Sequence, residues 1–272
     1  MNDRIFIIAE AGVNHNGSLS TAKKMVKVAK ECGADAIKFQ SFSADEITCT
    51  DTMRAKYQAR SNDTLESQYV MLKKLELSKS SFNELNNLCK EYQIEFMSTP
   101  FDINNAKYLI EELKMEKIKI ASGEIINHEL LYQLGKYKKP IILSTGMSDI
   151  SDIQAATDAV LSSSNSQLIL LHCISSYPCP PSSANIKMIQ RLANTFETIV
   201  GYSDHTTGVD ISMAAIALGA KVIEKHFTID RKMDGPDQNF SILEDELSLL
   251  TSSARRIEGA LKDNGYGVLP SE

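Results

Sequence analysis

Eight short runs of β-forming apolar residues, each followed by a segment with helical spacing, recur along the whole chain. They fall at 5–10, 35–40, 94–98, 117–121, 140–144, 168–173, 198–202 and 221–226. Between them, apolar residues return every three or four positions, as in Leu19, Ala22, Met25, Val26 and Ala29, or Leu247, Leu250, Ala254, Ile257 and Leu261. A strand followed by a helix, repeated, builds a parallel sheet, because parallel neighbours need a long crossover. Eight such units in a chain of 272 residues predict a closed (β/α)8 TIM barrel. An open doubly wound sheet is the alternative, and the lack of a GxGxxG after the first strand weighs against it.

A barrel of this kind places its reactive groups at the C-terminal ends of its strands. Every predicted strand end here is polar. Glu10 closes the first, Lys38 and Gln40 share one face of the second, and Thr99 closes the third. Lys119, Ser122 and Glu124 follow the fourth, Ser144 the fifth, and His172 and Cys173 the sixth. Ser203 and His205 end the seventh, and Glu224, Lys225 and His226 the eighth.

Taken singly, each has an ordinary reading. A strand lysine snorkels to the rim, a serine caps a helix, His172 packs against its neighbours, and His128 lies on the surface. Together on one rim they would repel or desolvate one another unless a ligand completed them. Lys38 and Lys119, with the hydroxyls of Thr99, Ser122, Ser144 and Ser203, make a phosphate cradle. His205 and His226, on adjacent strands, suit one divalent ion, Mn²⁺ ahead of Mg²⁺ or Co²⁺. Asp237, on the turn after the last strand, is placed to hold a polyol hydroxyl. One connection, 41–66, far exceeds the usual βα loop and is expected to be a lid, an oligomer contact or a surface excursion.

Composition narrows the classes further. A net charge of −6 argues against nucleic acid or anionic membrane as partner. No apolar run nears the roughly 18 residues of a membrane span, and the N-terminus lacks a signal-peptide layout. Five scattered cysteines without a CxxC pair suit a reduced, cytoplasmic setting.

The strand-end motifs are AEAGVNHNG (9–17), ADAIKFQ (34–40), FMSTPFD (96–102), KIASGEI (119–125), ILSTGMS (142–148), LLHCISSYP (170–178), GYSDHTTG (201–208), EKHFTID (224–230) and DGPDQNF (234–240). In this order the chain closely resembles the N-acetylneuraminate (sialic acid) synthase family, with its legionaminate, pseudaminate and spore-coat polysaccharide relatives. The resemblance implies a barrel that condenses phosphoenolpyruvate with an N-acetylmannosamine-type aldose, forming a nine-carbon 2-keto acid and releasing phosphate. It implies metal ligands at His205 and His226, and phosphoenolpyruvate contacts at Lys38, Thr99, Lys119, Ser122, Ser144 and Ser203. Ser175 stands where the family has an asparagine near the phosphate. Glu10, Gln40, Glu124, Tyr177 and Asp237 match positions around the sugar and reacting carbons, with Glu10, Glu124, Lys38 and Lys119 expected to be catalytic. The family is typically a homodimer, and it continues past Pro-Ser-Glu into an antifreeze-like domain that lends an arginine to the partner's sugar site. Residues 1–272 are therefore expected to be a single barrel without that domain, with a sugar site open on one side.

Two other activities fit the same residues. A Schiff-base pyruvate aldolase would use Lys38, Lys119 or Lys225 as its amine. A non-catalytic sugar-binding or assembly protein would keep the barrel but not need the ionisable set.

Overall fold

A computed structural model describes residues 4–55, 58, 66–163, 167–263, 265 and 267–268. All eight predicted strands are present: β1 (Phe6–Gly12), β2 (Ala36–Ser41), β3 (Glu95–Pro100), β4 (Ile118–Ile120), β5 (Ile141–Ser144), β6 (Leu168–Cys173), β7 (Ile199–Asp204) and β8 (Val222–His226). All described pairings are parallel, in the order β3-β2-β1-β8-β7-β6-β5-β4. The two ends of that series, β3 and β4, lie side by side, so the sheet curls into a (β/α)8 barrel with one seam. At the seam the Ser98 amide donates to Met115 Sδ at 3.3 Å instead of to a neighbouring strand.

Ten helices are described: α1 (Leu19–Glu31), α2 (Ala44–Ile47), α3 (Gln68–Leu75), α4 (Lys79–Tyr92), α5 (Ile103–Lys107), α6 (His128–Gly135), α7 (Ile150–Ser163), α8 (Met188–Phe196), α9 (Asp210–Ala217) and α10 (Glu244–Ala260). Local chemistry starts several of them. Ser18, Ser67, Ser78 and Asn127 each accept an amide hydrogen bond as N-cap. The expected apolar faces are the buried ones: Ala22, Met25, Val26 and Ala29 on α1, and Leu247, Leu250 and Ala254 on α10. None of the described helices is long and apolar enough to cross a membrane.

The two-residue period of a strand sorts its side chains between two cores. Ile7, Ile37, Leu143 and Ile223 point outward into the layer beneath the helices. Ile8, Ala36, Met97, Ile142, Leu171 and Val222 fill the barrel's interior. Gly201 faces that interior, where a Cβ would come within 2.3 Å of the Val222 carbonyl oxygen and 2.7 Å of Leu171. Two residues further along each inward-facing row, the chemistry changes. Ile8 gives way to Glu10, Ala36 to Lys38, Met97 to Thr99, Ile142 to Ser144 and Val222 to Glu224. The greasy floor carries a charged ceiling.

Segment 41–66 does bear on the mouth. Phe42, Ile47 and Gln58 line the cavity there, together with Met71 and Leu72 of α3. Of that segment, 56–57 and 59–65 lie outside the described residues.

Candidate active site

A cavity of about 400 Å³ opens at the C-terminal end of the barrel. Its floor is a buried charge cluster. Lys38 Nζ lies 2.7 Å from Glu10 Oε2 and 3.6 Å from Glu224 Oε1, and donates to Thr99 Oγ1 at 2.9 Å. Lys119 Nζ donates to Ser144 Oγ at 2.7 Å and to the Ile120 carbonyl at 2.9 Å, with Glu224 Oε1 at 3.9 Å. Ser203 Oγ approaches the same Glu224 oxygen at 3.5 Å. The other oxygen, Oε2, is buried without a hydrogen bond among the described residues.

The electrostatics follow from burial set against neighbours. Burial pulls the Lys38 ammonium down, but Glu10 and Glu224 outweigh it and keep its pKa above the usual lysine value. Lys119 goes the other way: burial and Lys38 lower it more than Glu224 raises it. Glu224 is pushed up by burial, yet Lys119, Lys38 and His205 hold it below the usual carboxylate range. Glu10 is raised to about 7, because burial and the nearby Glu224 exceed the pull of Lys38. Two cations thus face one firm carboxylate and one that titrates near neutrality. The floor is disposed to accept an anion.

One wall is aromatic. The rings of His205 and His226 stand 5.6 Å apart, Tyr177 lies over His205 at 4.2 Å, and Phe240 is 5.2 Å from both Tyr177 and His226. His205 Nδ1 donates to the Ile174 carbonyl at 2.8 Å, so in the neutral ring the lone pair is on Nε2. Burial lowers the basicity of His205, but Cys173, with Sγ 3.9 Å from Nδ1, and the Ile174 carbonyl bring it above the usual value. Burial and the cations around it drive His226 well below the usual histidine range. Its Nδ1 is buried with no hydrogen bond among the described residues, and Asp237 Oδ2 is 3.9 Å away. Burial raises Asp237 to about 6.

Most of the residues expected from sequence meet in this one cavity. Lys38, Lys119, Thr99, Ser144 and Ser203 form the floor, while Gln40, whose Nε2 reaches Glu10 Oε1 at 3.4 Å, extends it. Ser122 and Ser175 sit at its edge, held around Gly146. A Cβ on Gly146 would fall 2.4 Å from Ser175 Oγ and 2.8 Å from Ser122 Oγ, so only glycine lets the two hydroxyls approach.

Glu124 is not brought in. It ends a short 3₁₀ turn (Ser122–Glu124), accepts from Asn127 Nδ2 at 2.9 Å, and lies outside the cavity lining. Lys225 is also elsewhere, on the outer face of β8 against Asp204 at 2.9 Å. His172 is a packing residue, with Nε2 on the Ala184 carbonyl and its ring stacked on Tyr202. His128 is exposed, as expected.

Comparison with known proteins agrees with the architecture. The NeuB family model matches residues 25–266. The chain belongs to the NeuB family. It is 45% identical over 262 residues to an N,N'-diacetyllegionaminic acid synthase of Campylobacter jejuni, covering 96% of this chain and 78% of that protein. Human N-acetylneuraminate-9-phosphate synthase is 35% identical over 269 residues, covering 98% and 74%. A crystal structure of sialic acid synthetase from Leptospira borgpetersenii superposes with a TM-score of 0.87 at 35% identity, covering 98% and 88%. A truncated 3-deoxy-D-arabino-heptulosonate 7-phosphate synthase from Thermotoga maritima shares the fold, with a TM-score of 0.73 at 17% identity.

Like these relatives, this NeuB-family chain is an enzyme of the synthase type. Sequence reasoning left Glu224 out of its site, although Glu224 touches both cavity lysines. The signal was present: Glu224 and His226 are two apart in one strand and so share a face.

Proposed function

We propose that this NeuB-family enzyme joins phosphoenolpyruvate to the open-chain form of an N-acetylated aldose, giving a nine-carbon 2-keto sugar acid and phosphate. The pairing of Lys38 with Lys119 beneath an aromatic wall, inside one cavity, carries this reading. Phosphoenolpyruvate is a small polyanion, and the floor offers two buried cations plus the hydroxyls of Thr99, Ser144 and Ser203. The acceptor belongs above it, against Tyr177, with Gln40 and Asp237 within reach of its hydroxyls. The names of the relatives support a nonulosonic acid as product.

His205 and His226 fit a divalent metal such as Mn²⁺. The Ile174 carbonyl sets one imidazole's tautomer and orients its free Nε2, the usual arrangement for a metal-binding histidine. The other has a buried nitrogen without a hydrogen bond among the described residues and resists protonation. Among the described residues no group of three or more His, Cys, Asp or Glu is arranged to hold an ion, so the two histidines would share it with water or substrate. Such an ion supplies Lewis acidity toward the sugar's aldehyde oxygen.

The chain's own groups do the rest. Lys38 and Lys119 hold the phosphate and carboxylate while carbon 3 of phosphoenolpyruvate attacks the aldehyde carbon. Cationic character then develops at carbon 2, beside Glu224. Water adds there, and the tetrahedral intermediate expels phosphate. One oxygen must gain a proton and the water must lose one; Glu10, titrating near 7, is the group suited to move it. Glu124, whose carboxylate accepts from Asn127 Nδ2, is assigned no step in this scheme.

The deciding experiment is mass spectrometry of products from phosphoenolpyruvate with N-acetylmannosamine and with a diacetamido hexose. The expected result is a nine-carbon keto acid from at least one, lost with EDTA and restored by Mn²⁺. Full activity after EDTA treatment would remove the metal from the scheme. A borohydride-trapped pyruvate adduct would replace the condensation with Schiff-base chemistry.

A further inference from the structure

Asp204 and Lys225 form a second buried charge pair, on the outer side of the barrel wall and outside the cavity. Each is 1% exposed, and their Cα atoms are directly opposed in the β7–β8 ladder. Each immediately precedes one of the two histidines. Strand alternation therefore sends Asp204 and Lys225 outward where His205 and His226 point in.

The pair is closed on itself. Asp204 Oδ2 takes Lys225 Nζ at 2.9 Å and the hydroxyl of Ser212 on α9, while Oδ1 takes both the amide and the hydroxyl of Thr206 at 2.8 Å. Lys225 Nζ also donates to the Thr206 carbonyl. His205 is thus enclosed between Asp204 and Thr206, both tied to the residue that precedes His226. A buried ion pair adds little net stability over well-packed apolar residues, so its presence calls for another role.

We propose that Asp204 and Lys225 are positioning residues: they clamp the ends of β7 and β8 and so set the spacing of His205 and His226 for a divalent ion. The inference rests on the metal reading above and adds to it the part of the chain that makes two histidines a site. Ser212 extends the clamp to α9, and Thr206 fixes the turn that leaves β7. Lys38, Thr99, Lys119 and Ser144 lie on other strands, and of the anion floor only Ser203 and Glu224 adjoin the clamp, so most of that floor is held independently of it.

The test uses the whole chain and two probes, Mn²⁺ alone and phosphoenolpyruvate alone, by calorimetry. The double variant Asp204→Asn with Lys225→Gln removes both charges without leaving one unpaired. Lys225→Arg keeps the charge but not the reach, and circular dichroism and thermal melting report folding of each. In the folded double variant, Mn²⁺ affinity is expected to fall roughly tenfold or more, as when groups supporting metal ligands are changed. Phosphoenolpyruvate affinity should stay within about twofold, and Lys225→Arg should give a smaller Mn²⁺ loss with a melting temperature close to the parent's. The cobalt(II)-substituted protein should show an altered visible spectrum in the double variant. Unchanged Mn²⁺ affinity in either folded variant would overturn the clamp and leave the metal site standing. Equal losses for both probes would also overturn it, by showing general loosening. A parent protein that binds no Mn²⁺ would remove the metal reading itself, and the clamp with it.

Discussion

The barrel wall holds two sets of buried lysines and carboxylates on its opposite faces. Inside, Lys38, Lys119, Glu10 and Glu224 share contacts of 2.7 to 3.9 Å, and one Glu224 oxygen has no hydrogen bond among the described residues. Outside, Asp204 and Lys225 are at 2.9 Å, and both aspartate oxygens are saturated by Thr206 and Ser212. Residue types and burial are alike, so neither separates the two sets. Saturation does. The outer pair is complete as protein, whereas the inner set retains bonding capacity and excess positive charge that an anionic ligand can use.

The largest expected effect is on the outer face. Asp204→Ala leaves Lys225 charged and buried without its partner, which should lower the unfolding free energy by about 3–5 kcal/mol in urea titrations. Stability close to the parent's would break the comparison, since the outer pair would then not be a structural unit.

Lys119→Met makes the opposite case. Turnover with phosphoenolpyruvate should fall by about 10²–10³-fold in kcat/KM, the usual loss when one preorganised electrostatic contact is removed. The fold should tolerate this change better than Asp204→Ala, because a buried cation whose pKa is already depressed is replaced by an apolar chain of similar length.

A third consequence concerns pH. Glu10 is raised from 4.5 to about 7 in the folded protein, so the native state binds more protons than the unfolded chain between those values. Stability should therefore be greatest below about pH 4.5 with respect to this group and decline as pH rises to about 7, by about 3 kcal/mol in total. Glu10→Gln should flatten that slope in ligand-free protein, as read by urea unfolding across the range. An unchanged slope would assign the strain of the inner set to another residue. The smallest effect is expected for Ser144→Ala, which deletes one neutral partner of Lys119. A loss of about 1 kcal/mol, seen as a several-fold rise in the KM for phosphoenolpyruvate, would show the hydroxyls to be secondary to the charges.

Much of this is legible in the sequence. Alternating periods of two and 3.6 placed all eight strands within a few residues, and polar strand ends pointed to the mouth. Two carboxylates needed the tertiary structure. Glu124 matches the family's sugar site by motif, but the 3₁₀ turn after β4 breaks strand alternation and sets its carboxylate against Asn127. Glu224 shares the face of His226 by the two-residue period, but only the contacts with Lys38 and Lys119 show its part in the site. The long 41–66 segment showed only its length; that Phe42 and Ile47 reach the cavity depends on how α2 and α3 fold back over the mouth.

The sequence by itself determined the succession of strands and helices, and with it the barrel, because local periodicity decides which residues can be buried together. It also determined which charged side chains sit at strand ends. Only the tertiary structure decided which of those charges are spent on each other and which remain for a ligand. That outcome depends on the closure of the ring, which puts β1 between β2 and β8 and so brings both Glu10 and Glu224 within reach of Lys38. Contacts between residues some two hundred positions apart are set by this geometry, and no local pattern encodes them.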